Sequence, residues 1–309
     1  MKKALVVGAS GGMGYALTCE LASRGVDVVA FARRKERLET LFQNQRKVTL
    51  IPGDVLNQSS LHQAAKGADV IFHAVSFPYP EWETKHVACL ENVLNAAKTE
   101  QARVAYVDNI YAYGKQNTPR VTEEAVKEPH TKKGKLRLSM ENKLKDSSVP
   151  TLIVHLPDLY GPNAENTILH ETLKGVVQNK TANFVGSTKV AREFLFTFDG
   201  AKVMVDLAFD PQAYNQNWNI PAAHPVTGEE LMDILRDITG FKGSVRSVST
   251  MLIRLMGLFS PAMREVVEMM YLTESPVVLS GEKFEREVGP LPRTPYRLGL
   301  EQTIAWMKL

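Results

Sequence analysis

Short apolar runs recur through the first half of the chain: "ALVVG", "DVVAFA", "KVTLIP", "DVIFHAV", "RVAYVD" and "TLIVHL". Each gives way to a segment whose apolar residues return every three to four positions, such as "MGYALTCELASRG" or "TKHVACLENVLNAAKT". This alternation constrains the fold more than any other feature. Continuous Val/Ile/Leu runs are strands covered on both faces, and that cover needs helices on each side. Six such units predict an α/β protein built on a doubly wound parallel sheet. The pattern changes near residue 160. The expected division is a first domain over 1–160 and a smaller C-terminal domain over 161–309, with a stretch at about 190–210 returning to the first. In the second part, "TGEELMDILRDITG" reads as a helix opening at a Thr cap.

Directly after the first strand stands "VVGASGGMG", with Gly8, Gly11 and Gly14 spaced as a dinucleotide fingerprint at the start of a helix. The tight turn needs glycine freedom, the close approach of a pyrophosphate excludes a Cβ, and the helix N-terminus offers unbonded N–H groups. The loop makes the sheet a Rossmann-type one, and Ser10, Gly12 and Met13 complete the expected binding loop. For NAD, the second strand should end on a carboxylate that takes the ribose hydroxyls. Here it ends on Arg33 and Arg34, the residue type that a 2′-phosphate requires, so NADP is expected in preference to NAD. Asp54 and Val55, in "GDV" after the third strand, are candidates to flank the adenine.

Composition narrows the function classes. A net charge of +3 over 309 residues, with 44% hydrophobic and 23% charged residues, is ordinary for a globular protein and gives no reason to expect nucleic acid as a partner. The basic stretch "HTKKGKLRLSMENKL", residues 130–144, is therefore a local feature. Cys19 and Cys89 lie inside helical patterns and suggest neither a zinc site nor a disulfide framework, so a cytoplasmic protein without a metal is expected. The apolar segment from Thr250 to Leu272 is broken by Arg254, Pro261 and Arg264, and no membrane association is expected.

With these landmarks, "VAYVDNIYAYG", "LPDLYGP", "REFLFTFDGAKVMVDLA" and "WNIPAAHPVTGEEL" included, the sequence resembles the extended short-chain dehydrogenases/reductases, the class of the nucleotide-sugar epimerases and dehydratases. The resemblance runs nearly end to end. It implies cofactor contacts from His73, Ala74 and Val75, and substrate contacts from Ser76 and from Arg192, the latter toward a diphosphate. It also implies a Ser or Thr after the fifth strand and a Tyr-x-x-x-Lys motif on the next helix, where the tyrosine exchanges a proton with the reacting hydroxyl.

Those residues are replaced. The Ser/Thr place falls at Asn109, the tyrosine place at Lys133 and the lysine place at Arg137, and no tyrosine occurs between Tyr113 and Tyr160. Arg137 can still hold ribose hydroxyls but cannot exchange protons, whereas Lys133 can if its surroundings depress its pKa. Asn109 can bind a substrate oxygen, and Tyr111 is a replacement donor from the preceding turn. The expected function is carbonyl reduction, or epimerisation through a keto intermediate, on a nucleotide sugar or other small carbonyl or hydroxyl compound by a possible homodimer. The alternative is a non-catalytic NAD(P)-sensing protein.

Overall fold

A computed structural model describes residues 1–309, the side chains of residues 261 and 262 excepted. The chain opens with β1 (Lys3–Val7), α1 (Gly12–Ser23), β2 (Asp27–Ala32), α2 (Lys35–Phe42), β3 (Val48–Pro52) and α3 (Gln58–Ala65). Next come β4 (Val70–His73), α4 (Trp82–Glu100), β5 (Arg103–Asn109), α5 (Lys132–Lys145) and β6 (Thr151–Leu156). The middle holds β7 (Asp158–Tyr160), α6 (Ile168–Val177), β8 (Ala182–Val185), β9 (Phe194–Phe196), α7 (Thr197–Phe209) and β10 (Gln216–Asn219). Last come α8 (Gly228–Thr239), β11 (Val245–Val248), α9 (Thr250–Gly257), α10 (Pro261–Val267), α11 (Glu282–Glu287) and α12 (Tyr296–Met307).

Seven strands form one parallel sheet in the order β10-β6-β5-β4-β1-β2-β3. The order reverses between β1 and β4, so the connections leave these strands in opposite directions and open a crevice at their C-terminal ends. On one face, α1, α2 and α7 bury Leu17, Leu21, Leu38, Met204 and Leu207; on the other, α3, α4 and α5 bury Leu61, Leu90, Val93 and Met140. The doubly wound fold expected from the alternating runs is the one observed. A third core, of Leu169, Phe184, Phe194, Leu231 and Leu300, joins α6, β8, β9, α8 and α12 into a smaller C-terminal unit.

Within that unit α8 starts at a capping box: the Glu230 amide donates to the Thr227 hydroxyl (3.2 Å), and Glu230 accepts from the Thr227 amide (2.9 Å). The two contacts satisfy orphan donors that a bare helix end would leave open, so the Thr cap read from the sequence has a mechanical basis. Among the described residues no helix is long and apolar enough to cross a membrane.

His86 of α4 lies in the core against the edges of Phe77 (5.0 Å between centroids) and Trp82 (4.8 Å), with neither ring nitrogen hydrogen-bonded. Burial, reinforced by Arg137 and His73, lowers its pKa from 6.5 to about 2. A neutral native imidazole and a protonatable unfolded one mean that the unfolded state binds the extra proton below pH 6.5. Stability is therefore lost as pH falls from 6.5 toward 2. His86→Phe keeps the edge packing and removes that proton. In urea titrations between about pH 5.5 and 4, its stability should fall more shallowly than that of the wild type, by about 1.4 kcal/mol per pH unit.

Candidate active site at the C-terminal edge of the sheet

The site begins with strand periodicity. Side chains alternate across a sheet, so Tyr106 and Asp108 of β5 point to the same face as Ile153 and His155 of β6 and as Asn217 and Asn219 of β10. The register aligns Asp108 with His155 and His155 with Asn219, a polar row across three neighbouring strands. Over this row lies α5, and Lys133, Arg137 and Glu141, four residues apart, turn one face of the helix toward it. All three are buried. Gly134 allows the close approach, because a Cβ there would stand 2.6 Å from the Tyr111 carbonyl oxygen.

At the protected end of the row the Lys127 ammonium reaches Glu141 (2.5 Å) and His155 Nε2 (2.9 Å). Glu141 also accepts from Lys145 and from the Asn217 amide, both at 2.7 Å. Burial alone would raise the Glu141 pKa, but His155, Lys127 and Lys145 hold it down to about 2. Burial and the neighbouring Lys127 lower His155 to about 3. A neutral ring with its proton on Nδ1 satisfies both contacts, donating to the Asn109 carbonyl at 3.3 Å and accepting from Lys127. Asp108, Glu141 and His155 offer ligand atoms within 4.8 Å of one another, a spacing that fits a metal ion. The Lys127 ammonium already supplies the positive charge among them.

Nearer the cleft, Arg137 donates to the Tyr106 hydroxyl (2.7 Å), pairs with Asp108 (3.4 Å) and lies 4.4 Å over the Trp82 ring. Asp108 is raised to about 6 by burial, against the pull of Arg137. Asn109 uses its side-chain oxygen to accept from the Tyr111 amide (3.0 Å), which caps the short turn Ile110–Tyr113 and leaves its NH₂ as a donor. The Tyr111 hydroxyl meets that of Tyr79 at 2.8 Å. Burial raises Tyr79 to about 12 and Tyr111 well above 10, with the charge of Asp158 adding to both. Lys133 stands 4.8 Å over the Tyr79 ring and is paired with Glu265 (2.6 Å) and Glu268 (2.7 Å).

The dinucleotide loop sits at the crevice. Gly8 has φ +88°, and a Cβ on it would fall 2.7 Å from the Ala74 carbonyl oxygen. No side chain caps α1 and no acid lies in its first turn, so the first amides of the helix lack an intrahelical or side-chain partner. The residues fit a dinucleotide pyrophosphate. Ser10 is tied through its carbonyl to Asn163 Nδ2 (3.1 Å), and Arg37 bridges from α2 to Asn163 and Glu165.

Of the other expected contacts, Ala74 and Val75 are partly buried beside the loop, Ser76 is exposed, and His73 is buried against Cys89 Sγ (3.3 Å). Asp54 is exposed and accepts from the Leu56 amide (3.0 Å) in a turn, while Val55 is buried. Arg192 is 4% exposed, donates to the Val185 carbonyl (2.8 Å) and packs between Phe184 and Phe194. Tyr79, Asp108, Lys127, His155 and Asp158 were not anticipated. The alternation in "AYVDN", "IVHL" and "QNWN", which puts polar residues on one face of buried strands, is the signal that would have found three of the positions on that row.

A sequence profile described as NAD(P)H-binding matches residues 8–195, which covers the loop, strands β2 to β6 and α5. The chain belongs to this NAD(P)H-binding family. Over its full length the fold is that seen in solved epimerases and dehydratases. UDP-glucuronic acid 4-epimerase from Bacillus cereus, solved with NAD, superposes with a TM-score of 0.79 at 18% identity, over 99% of this chain and 98% of that one. dTDP-glucose 4,6-dehydratase from Bacillus anthracis, also with NAD, gives 0.79 at 15% identity, over 100% and 97%. The 2-alkyl-3-oxoalkanoate reductase of Shewanella oneidensis is 35% identical over 120 residues, 38% of this chain and only 29% of that protein. At the places where the sequence resemblance implies Ser or Thr, Tyr and Lys, this chain has Asn109, Lys133 and Arg137, with Asp108, Glu141 and His155 buried alongside.

The expectation of NADP is corrected. The relatives solved with a dinucleotide carry NAD. Arg33 and Arg34, which motivated NADP, are solvent-exposed at the end of β2 and the start of α2. The next arginine along, Arg37, is paired with Glu165. These arginines read as a solvated helix start. Fluorescence titration should give tighter binding of NADH than of NADPH, and Arg33→Ala should leave NADH affinity within about twofold. Removing one partner of the inner charge cluster is costlier. Glu141→Gln leaves Lys127 buried without its carboxylate and should destabilise the fold by about 3 kcal/mol in urea denaturation.

Proposed function

We propose that this protein is an NADH-dependent reductase that converts a ketone on a small molecule to the alcohol. The observation that carries the reading is the hydroxyl pair of Tyr79 and Tyr111, both held protonated by burial beside a cleft otherwise furnished with donors. One of the two hydroxyl protons lies in the bond between them, and the other remains available to a ligand. The Asn109 NH₂ points to the same task of binding an oxygen that gains negative charge. Alcohol oxidation needs a base at this point, and burial leaves little of either phenol ionised near neutral pH. The bound dinucleotide supplies the hydride.

In this reading the glycine loop and the α1 N-terminus hold the pyrophosphate, and Arg137 is assigned a ribose hydroxyl. Asn109 and Tyr111 orient the substrate carbonyl, and the phenol pair delivers the proton to its oxygen. The inner cluster around Lys127 and Glu141 keeps α5 in register over β5 and β6. Arg192 being folded between two phenylalanines supports a keto substrate without a diphosphate. The partial likeness to a 3-oxoalkanoate reductase supports the same class. The protein is assigned to the cytoplasm on its two free cysteines and its use of NADH.

A second reading, epimerisation through a transient ketone, draws on the full-length likeness to the UDP-glucuronic acid epimerase. NADH consumption separates the two: a reductase oxidises one NADH per product, an epimerase none in net. With a 3-oxoacid panel and NADH, wild type should consume NADH, and Tyr111→Phe should lower kcat by about 10²-fold or more with NADH affinity unchanged. Full activity in both Tyr111→Phe and Tyr79→Phe would rule out the phenol pair as the donor.

A further inference from the structure

Lys133 is 3% exposed, and the groups that cover it come from far along the chain. Glu265 of α10 and Glu268, one residue past its end, both reach its ammonium. Glu268 also accepts from the backbone amides of Lys132 (3.0 Å) and Lys133 (3.3 Å), two of the unbonded donors at the start of α5. One carboxylate thus holds a side chain and a helix end together. In addition, α10 leans on the short turn Tyr79–Glu81, so the same contact presses on the hydroxyl pair.

The segment carrying these acids is peripheral elsewhere. Met251, Leu258 and Phe259 are 71%, 68% and 92% exposed, so the outer side of α9 and the α9–α10 turn packs on nothing. Its downstream end is fixed, since Met269, Met270 and Thr273 are buried and Tyr271 packs edge-on to His130 at 4.6 Å. The upstream end leaves β11 at Ser249, which caps α9 by accepting from the Leu252 amide. A helix pair tethered at both ends and held on its inner side by ion pairs can swing when those pairs break.

We propose that α9 and α10 form a lid over the cleft, latched shut by Glu265 and Glu268 on Lys133 and the first amides of α5. The inference rests on the reading of this cleft as the reaction site. The side chains of Glu265 and Glu268 are 37% and 23% exposed, so water and salt reach the latch from one side, while Lys133 lies on the dry side. Closure keeps water from the phenol pair, and opening hydrates Lys133 and admits substrate. Lys133 is thus a positioning residue that acts through the lid.

Limited proteolysis of the full chain by trypsin tests the latch without requiring turnover, because Arg254 and Arg264 lie on the lid. Glu265→Gln/Glu268→Gln should raise the rate of cleavage after Arg254 by about tenfold while cleavage elsewhere is unchanged, the bond after Arg264 being left out of the comparison because Glu265 is part of it. Lys133→Met, which removes the clamp from the other side, should do the same. The wild type provides a folded control: raising salt from about 0.1 M to about 1 M shortens the screening length from about 10 to about 3 Å and should speed lid cleavage, measured relative to an unstructured peptide. Lid cleavage that shifts by less than about twofold in the variants and in the salt series would overturn the latch. Should the lid respond while no NADH is consumed, the latch stands and the reductase reading falls.

Discussion

The cleft is organised around one guanidinium removed from water. Burial disfavours the charge of Arg137, and Tyr106 and Asp108 oppose that penalty enough to keep it above its ordinary range. Its field then reaches outward. It helps to hold His73 and His86 neutral, and it works against the ionisation of Asp108 being lost altogether. A cation at this position cannot exchange a proton, so under the proposed reading acid chemistry falls to its neighbours. Two tyrosines from different elements, Tyr79 after β4 and Tyr111 after β5, meet there through their hydroxyls.

The second layer of charge, Lys127 with Glu141, His155 and Lys145, performs different work. A buried ion cluster is seldom a net gain over apolar packing, but it tolerates only one arrangement of its members. Here it fixes α5 to β6 and β10 through Glu141, His155 and Asn217, and so sets the height of Arg137 above the sheet. Stability and positioning are obtained from the same residues, with the ammonium of Lys127 doing what a bound cation does elsewhere.

Much of the fold was legible because it depends on local periodicity. The six apolar runs all became strands of the central sheet, and Gly8, Gly12 and Gly14 of "VVGASGGMG" sit where a Cβ would collide with backbone. The replaced motif was legible too, since the absence of a tyrosine is a fact of the sequence. What escaped depends on contacts between distant segments. Tyr79 and Tyr111 are 32 residues apart, and nothing local announces their shared hydrogen bond. Lys133 and its two acids are separated by more than 130 residues, so its ion pairing could not be read from "HTKKGK". The arginines after β2 misled for the opposite reason: their type was visible, but their exposure and the Arg37–Glu165 pair were not.

The order of β10 and α7 along the chain has a consequence for how the molecule can be divided. Both follow β8 and β9 or their neighbours in the smaller unit, yet α7 packs on α1 and β10 forms the edge strand beside β6. A cut near residue 160 would leave the sheet without that edge and one face of α1 without its cover, exposing Trp218, Met204 and Leu207 among the groups that lose their burial. The two halves are interleaved in sequence, and neither is a transferable module: grafting the dinucleotide half onto another partner requires carrying residues from beyond 197 along with it.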